Sequence, residues 1–407
     1  MHRSRLFAQH LPEFGWIPII LTVDERYYEE TLDDNLVKLL PPELRIEKVK
    51  AFKTTKPRMI GDIGLRAFFQ LYRKAKKIIN KEEVKFLYIP IPSFYSALLG
   101  RLLRITTNIK YGIDYIDPWV HHFPGSEVKF SRHWWSSKLS AILEPIAIKK
   151  ASLITGVAEG YYEGVKNRNP SLINTAVFGS MPYGGEILDH FAIKTLKISP
   201  YLFKKETNKI KLVYAGALLP KAFLPMETLF RVIQNNLDLF KHIEIHFIGT
   251  GKTPNDINGY NVKALAEKYG IWNTIIYEYP SRIPYLDVLS HLEAADGVFI
   301  LGSTEPHYTP SKVYQAVLAQ KPVLALLHQS STAVRVILDS KAGIVLPFDG
   351  KNYREKIQEE FPAKFQEYIE LVKVFDPSSV IMGNFDQNSA KEVTRQLVVL
   401  LEKSLEK

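Results

Sequence analysis

Between two apolar strands, Gly297–Leu301 and Pro322–Leu327, the chain reads STEPHYTPSKVYQAVLAQKPVLALL from Ser303 to Leu327. Thr309 suits a helix N-cap, and Pro310 suits the first helical position, where a missing N–H costs nothing. Val313, Val317 and Leu318 supply the apolar stripe of that helix. A strand, a loop and a capped helix beside a second parallel strand predict a ligand crevice at the carboxyl end of a sheet. Free N–H groups near Ser311 and Lys312, the helix dipole and the Lys312 ammonium all favour a phosphate there. An ordinary βαβ unit with a solvated lysine fits this stretch equally well.

Two further strand ends carry glycine. Tyr214-Ala-Gly216 closes one strand, with Lys221 five residues on, and Gly249-Thr-Gly251 repeats the arrangement at the next. Glycine lets the backbone approach a ligand closely, and Lys221 can reach a diphosphate. A surface lysine after a turn is the plain alternative, but three such features on one sheet edge point to a nucleotide crevice. In the first half, Asp114–His122 closes a strand with DYIDPWVHH. Asp117 and His121 there could orient hydroxyls or assist proton transfer. The alternative is that Asp117 caps a turn before Pro118, Trp119 packs inside and the histidines are surface residues.

Other motifs fail. Gly249-Thr-Gly-Lys-Thr253 would need a glycine where His246 stands to be a P-loop. Neither a G-x-G-x-x-G after a strand nor an H-E-x-x-H or D-x-D is present, so a metal-dependent mechanism has no foothold in the sequence.

The positioning elements follow from the hydrophobic pattern. The chain has 407 residues, 46% hydrophobic and 24% charged, which predicts a globular protein of two domains. The absence of cysteine excludes disulfides, thiolate metal sites and cysteine nucleophiles. A net charge of +10 favours anionic partners without choosing among nucleic acid, lipid and phosphorylated substrates. Strands are expected at 17–23, 48–52, 84–90, 109–115 and 151–156, with helices at 3–15, 64–80, 94–104 and 139–150 between them. A second α/β half restarts at Ile210, with strands at 243–249, 275–279, 296–301 and 323–327. The polar stretch Lys194–Lys209 is the expected linker. A doubly wound domain normally opens with a strand and a glycine-rich turn, whereas this chain opens inside the helix that follows them. The helix at 64–80 interleaves Leu65, Phe68, Phe69 and Tyr72 with Arg73, Lys74, Lys76 and Lys77. Together with Arg132, His133, Trp134 and Trp135, it is a candidate for contact with anionic membrane, the alternative being a core helix with a solvated basic face.

Taken in order, these stretches resemble glycosyltransferase family 4, of the bacterial surface-polysaccharide type. RSRLFAQHLPEFGWIPIILT resembles the helix and second strand after the family's first glycine loop. DYIDPW resembles D-x-R-D-P-W with Ile116 for arginine, and MPYGGEILDHF resembles the P-x-G segment before the linker. LVYAGALLPK resembles the first strand and loop of the donor domain, and TPSKVYQAVLAQKPVLAL resembles T-P-x-K-x-Y-E-Y-L-A-x-G-K-P-V-L-A. The resemblance implies an α/β chain of two facing Rossmann-like domains (GT-B), the first without its first strand. It places an acceptor-side domain at 1–195, a donor domain at 205–385 and a terminal helix at 386–407.

The implied activity is a retaining, metal-independent transfer from a nucleotide-sugar to a saccharide or lipid-linked acceptor. The nucleotide-sugar is itself the donor, so no cofactor or metal is expected. Gly216, Lys221, Gly249, Arg282, Thr309, Ser311, Lys312 and Gln315 would bind the donor nucleotide. Asp117, His121, Glu305 and His307 would serve catalysis. The family's E-x7-E pair falls on His307 and Gln315, neither a carboxylate, with Glu305 two residues earlier as a substitute. Gln315 can accept one ribose hydroxyl, less strongly than a charged group. The implied location is cytoplasmic, peripheral on the inner face of the cell membrane, with no nucleic-acid partner. A non-catalytic member that binds a nucleotide-sugar or a partner enzyme is the alternative, favoured by the same substitutions.

Overall fold

A computed structural model describes residues 2–29, 32–54, 61–120, 126–204, 208–253, 255–306 and 308–407. The chain forms two compact units, Met1–Leu32 with Pro41–Pro182 and Val393–Lys407, and Asp33–Leu40 with Tyr183–Glu392. The chain leaves the first unit after Pro182, ahead of the lysine-rich stretch expected as linker. Helix Ile187–Thr195 therefore belongs to the second unit, and most of the last helix, Ala390–Glu406, belongs to the first.

The first unit holds two parallel sheets. Strands β1 (Ile19–Val23) and β2 (Arg45–Val49) pair with each other. Strands β3 (Phe86–Ile91), β4 (Lys110–Tyr115), β5 (Leu153–Gly156) and β6 (Val177–Ser180) form the other sheet in chain order. Among the described residues no strand pairs with the second edge of β1 or of β3. Both sheets nevertheless contribute to one apolar layer: Val23 and Val49 pack with Leu71, Leu99 and Leu103 of the helices Phe68–Lys81 and Ala97–Thr107, and Leu87 of β3 packs against the same cluster. Ile17, expected within a buried strand, precedes β1 and is 90% exposed. The helix expected at 64–80 begins at Ile63, where Asp62 caps the first turn by accepting from the Leu65 N–H at 2.8 Å, and it breaks at Ala67 into Ile63–Arg66 and Phe68–Lys81.

The helix His2–His10 is fixed by a buried ion pair. Arg3 Nε donates to Asp114 Oδ2 at 2.6 Å, and Nη1 donates to the Pro182 carbonyl at 2.6 Å. Thr155 Oγ1 donates to the other carboxylate oxygen at 2.8 Å. A buried charge held by this many bonds is satisfied, and removing either partner would strand the other.

The second unit is one six-stranded parallel sheet of order β12-β11-β10-β7-β8-β9. Its strands are β7 (Ile210–Ala215), β8 (Ile243–Ile248), β9 (Ile276–Tyr279), β10 (Gly297–Leu301), β11 (Val323–His328) and β12 (Gly343–Phe348). Side chains alternate between two cores, as the period of a strand requires. Leu212 and Phe247 face the helices Phe223–Asn235 and Tyr353–Val374, while Val213 and Ile300 face Tyr285–Ala294, Lys312–Leu318 and Thr332–Asp339. From β7 the chain steps outward through β8 and β9, then crosses to β10 and steps outward the other way. Connections therefore diverge at the carboxyl ends of β7 and β10, which is where a parallel sheet opens a crevice.

Candidate functional site

Gly216 follows β7 at that opening with φ +109°, and Gly249 follows β8 with φ +69°. Both conformations favour glycine, so the backbone turns away from each strand without a side chain in the opening. The Gly216 N–H donates to the Ile248 carbonyl at 2.8 Å and so ties the two strand ends together.

Lys312 occupies the space beside Gly216. A Cβ built on that glycine would lie 3.5 Å from Lys312 Nζ. The ammonium sits 3.6 Å from the centroid of the Tyr214 ring and is sealed from water, without a hydrogen-bond partner among the described residues. The residue as a whole is half-buried, since its stem reaches the surface while its head does not. Burial lowers the Lys312 pKa to about 7, and it pushes the Tyr214 phenol up, so the ring stays neutral beneath it. A buried amine without a partner either gives up its proton or takes an anion beside it. Its place beside a backbone without a side chain makes it the strongest candidate for contact with a phosphate.

The turn before Lys312 differs from expectation. The helix runs Lys312–Leu318 with exposed Ser311 at its N-cap, and that hydroxyl makes no capping bond. Thr309 does not cap, because its buried hydroxyl is bonded to Thr332 of the next helix at 2.9 Å. Pro310 precedes the helix, accepting from the Val313 N–H at 3.1 Å. A helix of seven residues has a weak dipole, so attraction for a phosphate falls on Lys312 more than on the helix terminus.

Of the remaining sequence-derived residues, Lys221, Glu305 and Gln315 are paired within the second unit. Lys221 Nζ lies 3.3 Å from Glu305 Oε1, an ion pair on the partly exposed side of the opening. Arg282 passes beside Gly249, its Cα 3.6 Å from where a Cβ would stand. Gln315 is turned elsewhere: its Oε1 lies 3.1 Å from His190 Nε2, and His190 Nδ1 lies 2.8 Å from Glu293 Oε1. His190 was not among the residues expected here, although it sits inside the MPYGGEILDHF stretch. Its signal was invisible because its partners are 103 and 125 residues away. Asp117 lies in the first unit, exposed after β4, while the buried acid of that strand is Asp114. Trp119 packs inside, stacked on Phe94 with centroids 5.9 Å apart. His121 and His307 fall outside the described residues. Among the described residues no group of three or more His, Asp or Glu side chains could hold a metal ion.

No family model and no curated protein matches the chain. Solved structures do. Anabaena HepE, determined in complex with UDP and glucose, aligns at a TM-score of 0.60 and 13% identity over 99% of this chain and 96% of its own. A glycosyltransferase from Rickettsia africae aligns at 0.58 and 14% over 100% and 94%. Sucrose-phosphate synthase from Thermosynechococcus elongatus aligns at 0.57 and 14% over 98% and 92%. With parallel sheets in both units, the chain has the GT-B fold of two Rossmann-like domains.

Proposed function

We propose that the chain is a glycosyltransferase that moves a sugar from a nucleotide-sugar to a saccharide or lipid-linked acceptor, with retention and without a metal. The observation that carries this reading is Lys312, whose buried ammonium has no hydrogen-bond partner among the described residues and lies beside Gly216 at the β7/β10 opening. A departing nucleoside diphosphate develops negative charge, and a fixed cation with aimed backbone N–H groups stabilises it most when water is excluded. Support comes from neighbours of the same fold, one of them determined with UDP and glucose. Lys221 and Arg282 add charge for the diphosphate or base once Lys221 leaves Glu305. Glu305 then becomes available to the sugar, and Asp117 and His121 are assigned to the acceptor. The surface-polysaccharide type and a cytoplasmic place belong to this same reading.

Isothermal titration with UDP, GDP and ADP tests the donor site. Binding of one of them, weakened in Lys312→Ala, supports it, and absence of binding to the intact chain removes it. A second reading, a nucleotide-sugar binder without turnover, is favoured by Gln315 being held by His190. Donor hydrolysis or transfer in the presence of EDTA separates the two, since a binder would show neither.

A further inference from the structure

The helix Arg132–Ile148 turns its apolar side outward. Trp135, Leu139, Ile142 and Ile146 are 57%, 42%, 62% and 49% exposed. Their spacing of four, three and four residues sets them in one strip roughly 60° wide along about 17 Å of helix. Just ahead of the helix, Phe130 is 74% exposed with its ring centroid 6.4 Å from that of Trp135, and Val128 is 62% exposed. The inward side is already occupied, with Ala147 and Ile148 fully buried in the core of the first unit and Leu143 packed against them. Glu144 is fully buried and accepts from Arg168 Nε and Nη2 at 2.9 and 2.6 Å, while Tyr111 donates to the Ala147 carbonyl at 2.6 Å. The outward stripe is therefore not a misplaced core face. The core contact of this helix is already made.

Charge identifies what the stripe meets. Between Ser126 and Lys150 the sequence has Lys129, Arg132, Lys138, Lys149 and Lys150 against only Glu127 and Glu144. Glu144 is spent on Arg168, and Lys129, Lys138, Lys149 and Lys150 are exposed. On the helix, Lys138 flanks the stripe, and Lys149 and Lys150 end it. Aromatic and branched side chains bordered by lysines match the boundary between acyl chains and anionic headgroups. A second copy of the chain fits less well. One helical stripe falls short of the roughly 800 Å² per partner of a stable interface, and a two-fold pairing would set lysine against lysine. The helix Phe68–Lys81, expected to share this role, instead buries Leu71, Ala75 and Ile78 and commits Lys74 to Glu47 at 2.6 Å. We infer that the outer face of Arg132–Ile148, led in by Val128 and Phe130, docks in the plane of an anionic lipid surface.

Flotation of the full chain with vesicles of phosphatidylcholine, alone or mixed with phosphatidylglycerol, tests this. Recovery is expected with the anionic vesicles, decreasing with salt, and falling about fivefold for each of Lys138, Lys149 and Lys150 replaced by alanine. The triple variant Leu139→Gln, Ile142→Gln, Ile146→Gln should melt like the wild type, because these side chains are exposed, yet fail to float. Brominated acyl chains should quench tryptophan emission in the wild type and less in Trp135→Phe. Equal recovery with neutral and anionic vesicles, or flotation unchanged in the triple variant, overturns the inference. So does a dimer in light scattering that the triple variant converts to monomer, which would make the stripe an interface between copies. None of these readouts depends on nucleotide binding, so a chain that floats but binds no nucleotide would sink only the transferase reading.

Discussion

Lys312 Nζ stands 3.6 Å above the Tyr214 ring, and among the described residues it has no hydrogen-bond partner. The ring face offers a cation–π contact worth about 2 kcal/mol when desolvated, well short of the cost of burying a full charge. The pair is thus a holding position for a cation that lacks its anion. Replacing Lys312 by alanine should remove a charge-assisted contact of about 2 kcal/mol, or roughly thirtyfold in nucleotide affinity. Titration calorimetry reads this directly, and a change of less than threefold would remove Lys312 from the site.

The same residue sets a pH dependence. With its pKa lowered from 10.5 to about 7, folded Lys312 has released its proton over a range where the unfolded chain still holds it. The unfolded state binds more protons there, so stability from this group rises with pH between about 7 and 10.5. Below that window the buried ammonium costs stability in full. Lys312→Met should be more stable than the wild type at pH 6, with the gap closing as pH rises towards 10. Nucleotide binding runs the other way, because it favours the charged form. Affinity should fall as pH rises above about 7, and binding should take up a proton, visible as an enthalpy that varies with the buffer's ionisation heat.

Gly216 and Gly270 separate strain from function. Both have positive φ, +109° and +65°, but only Gly216 faces the lysine, while a Cβ on Gly270 would meet nothing within 4 Å. Alanine should cost about 1–3 kcal/mol of stability at Gly216 and at most that at Gly270. Only Gly216→Ala should also weaken nucleotide binding beyond tenfold. Equal affinity for both variants would move the ligand away from the end of β7.

Gln315 should behave differently from Lys312. Its amide is held by His190, itself held by Glu293, so its loss breaks a chain inside the second unit. Gln315→Ala is expected to lower the melting temperature while leaving nucleotide affinity within about threefold of wild type, the range of a single neutral hydrogen bond. A thirtyfold loss of affinity would show instead that Gln315 leaves His190 to hold the ribose.

What could be read from the sequence tracks what physics writes locally. Strands β7, β8, β10 and β11 are buried on both faces; β10 and most of β11 are continuous apolar runs, and β7 and β8 are interrupted only by Lys211, Glu244 and His246, so all four were legible. Strand β12 was missed: it lies at the sheet edge and contains Pro347, a residue that argues against a strand except at an edge. Strand β6 reads VFGS and is only half-buried, too weak a pattern to see. At the site, Gly216 and Lys312 were legible as types at strand and helix ends. That Lys312 is sealed against Tyr214, that Thr309 bonds Thr332 and that Gln315 faces His190 depend on contacts between distant elements. No local pattern encodes them.

The two units should also differ in how tightly their sheets are held. In β10 all five residues are buried, whereas in β1 only Val23 is, and Ile19 to Thr22 are half-exposed. Among the described residues β1 and β3 are each paired on one side alone, as β2 and β6 are at the other ends of the two sheets. Backbone groups without a ladder partner open more readily, and a half-buried strand loses less apolar contact when it does. Hydrogen exchange measured by mass spectrometry should therefore show Ile19–Val23 and Phe86–Ile91 exchanging well before Ile210–Ala215 and Gly297–Leu301. Thermal unfolding should begin in the first unit, seen as loss of protection there while the second remains protected. A saturating nucleotide should raise protection in the second unit without slowing exchange at β1. Uniform protection across both units would mean that the edges of β1 and β3 are closed by contacts other than a strand ladder, and the first unit would then be as firmly folded as the second.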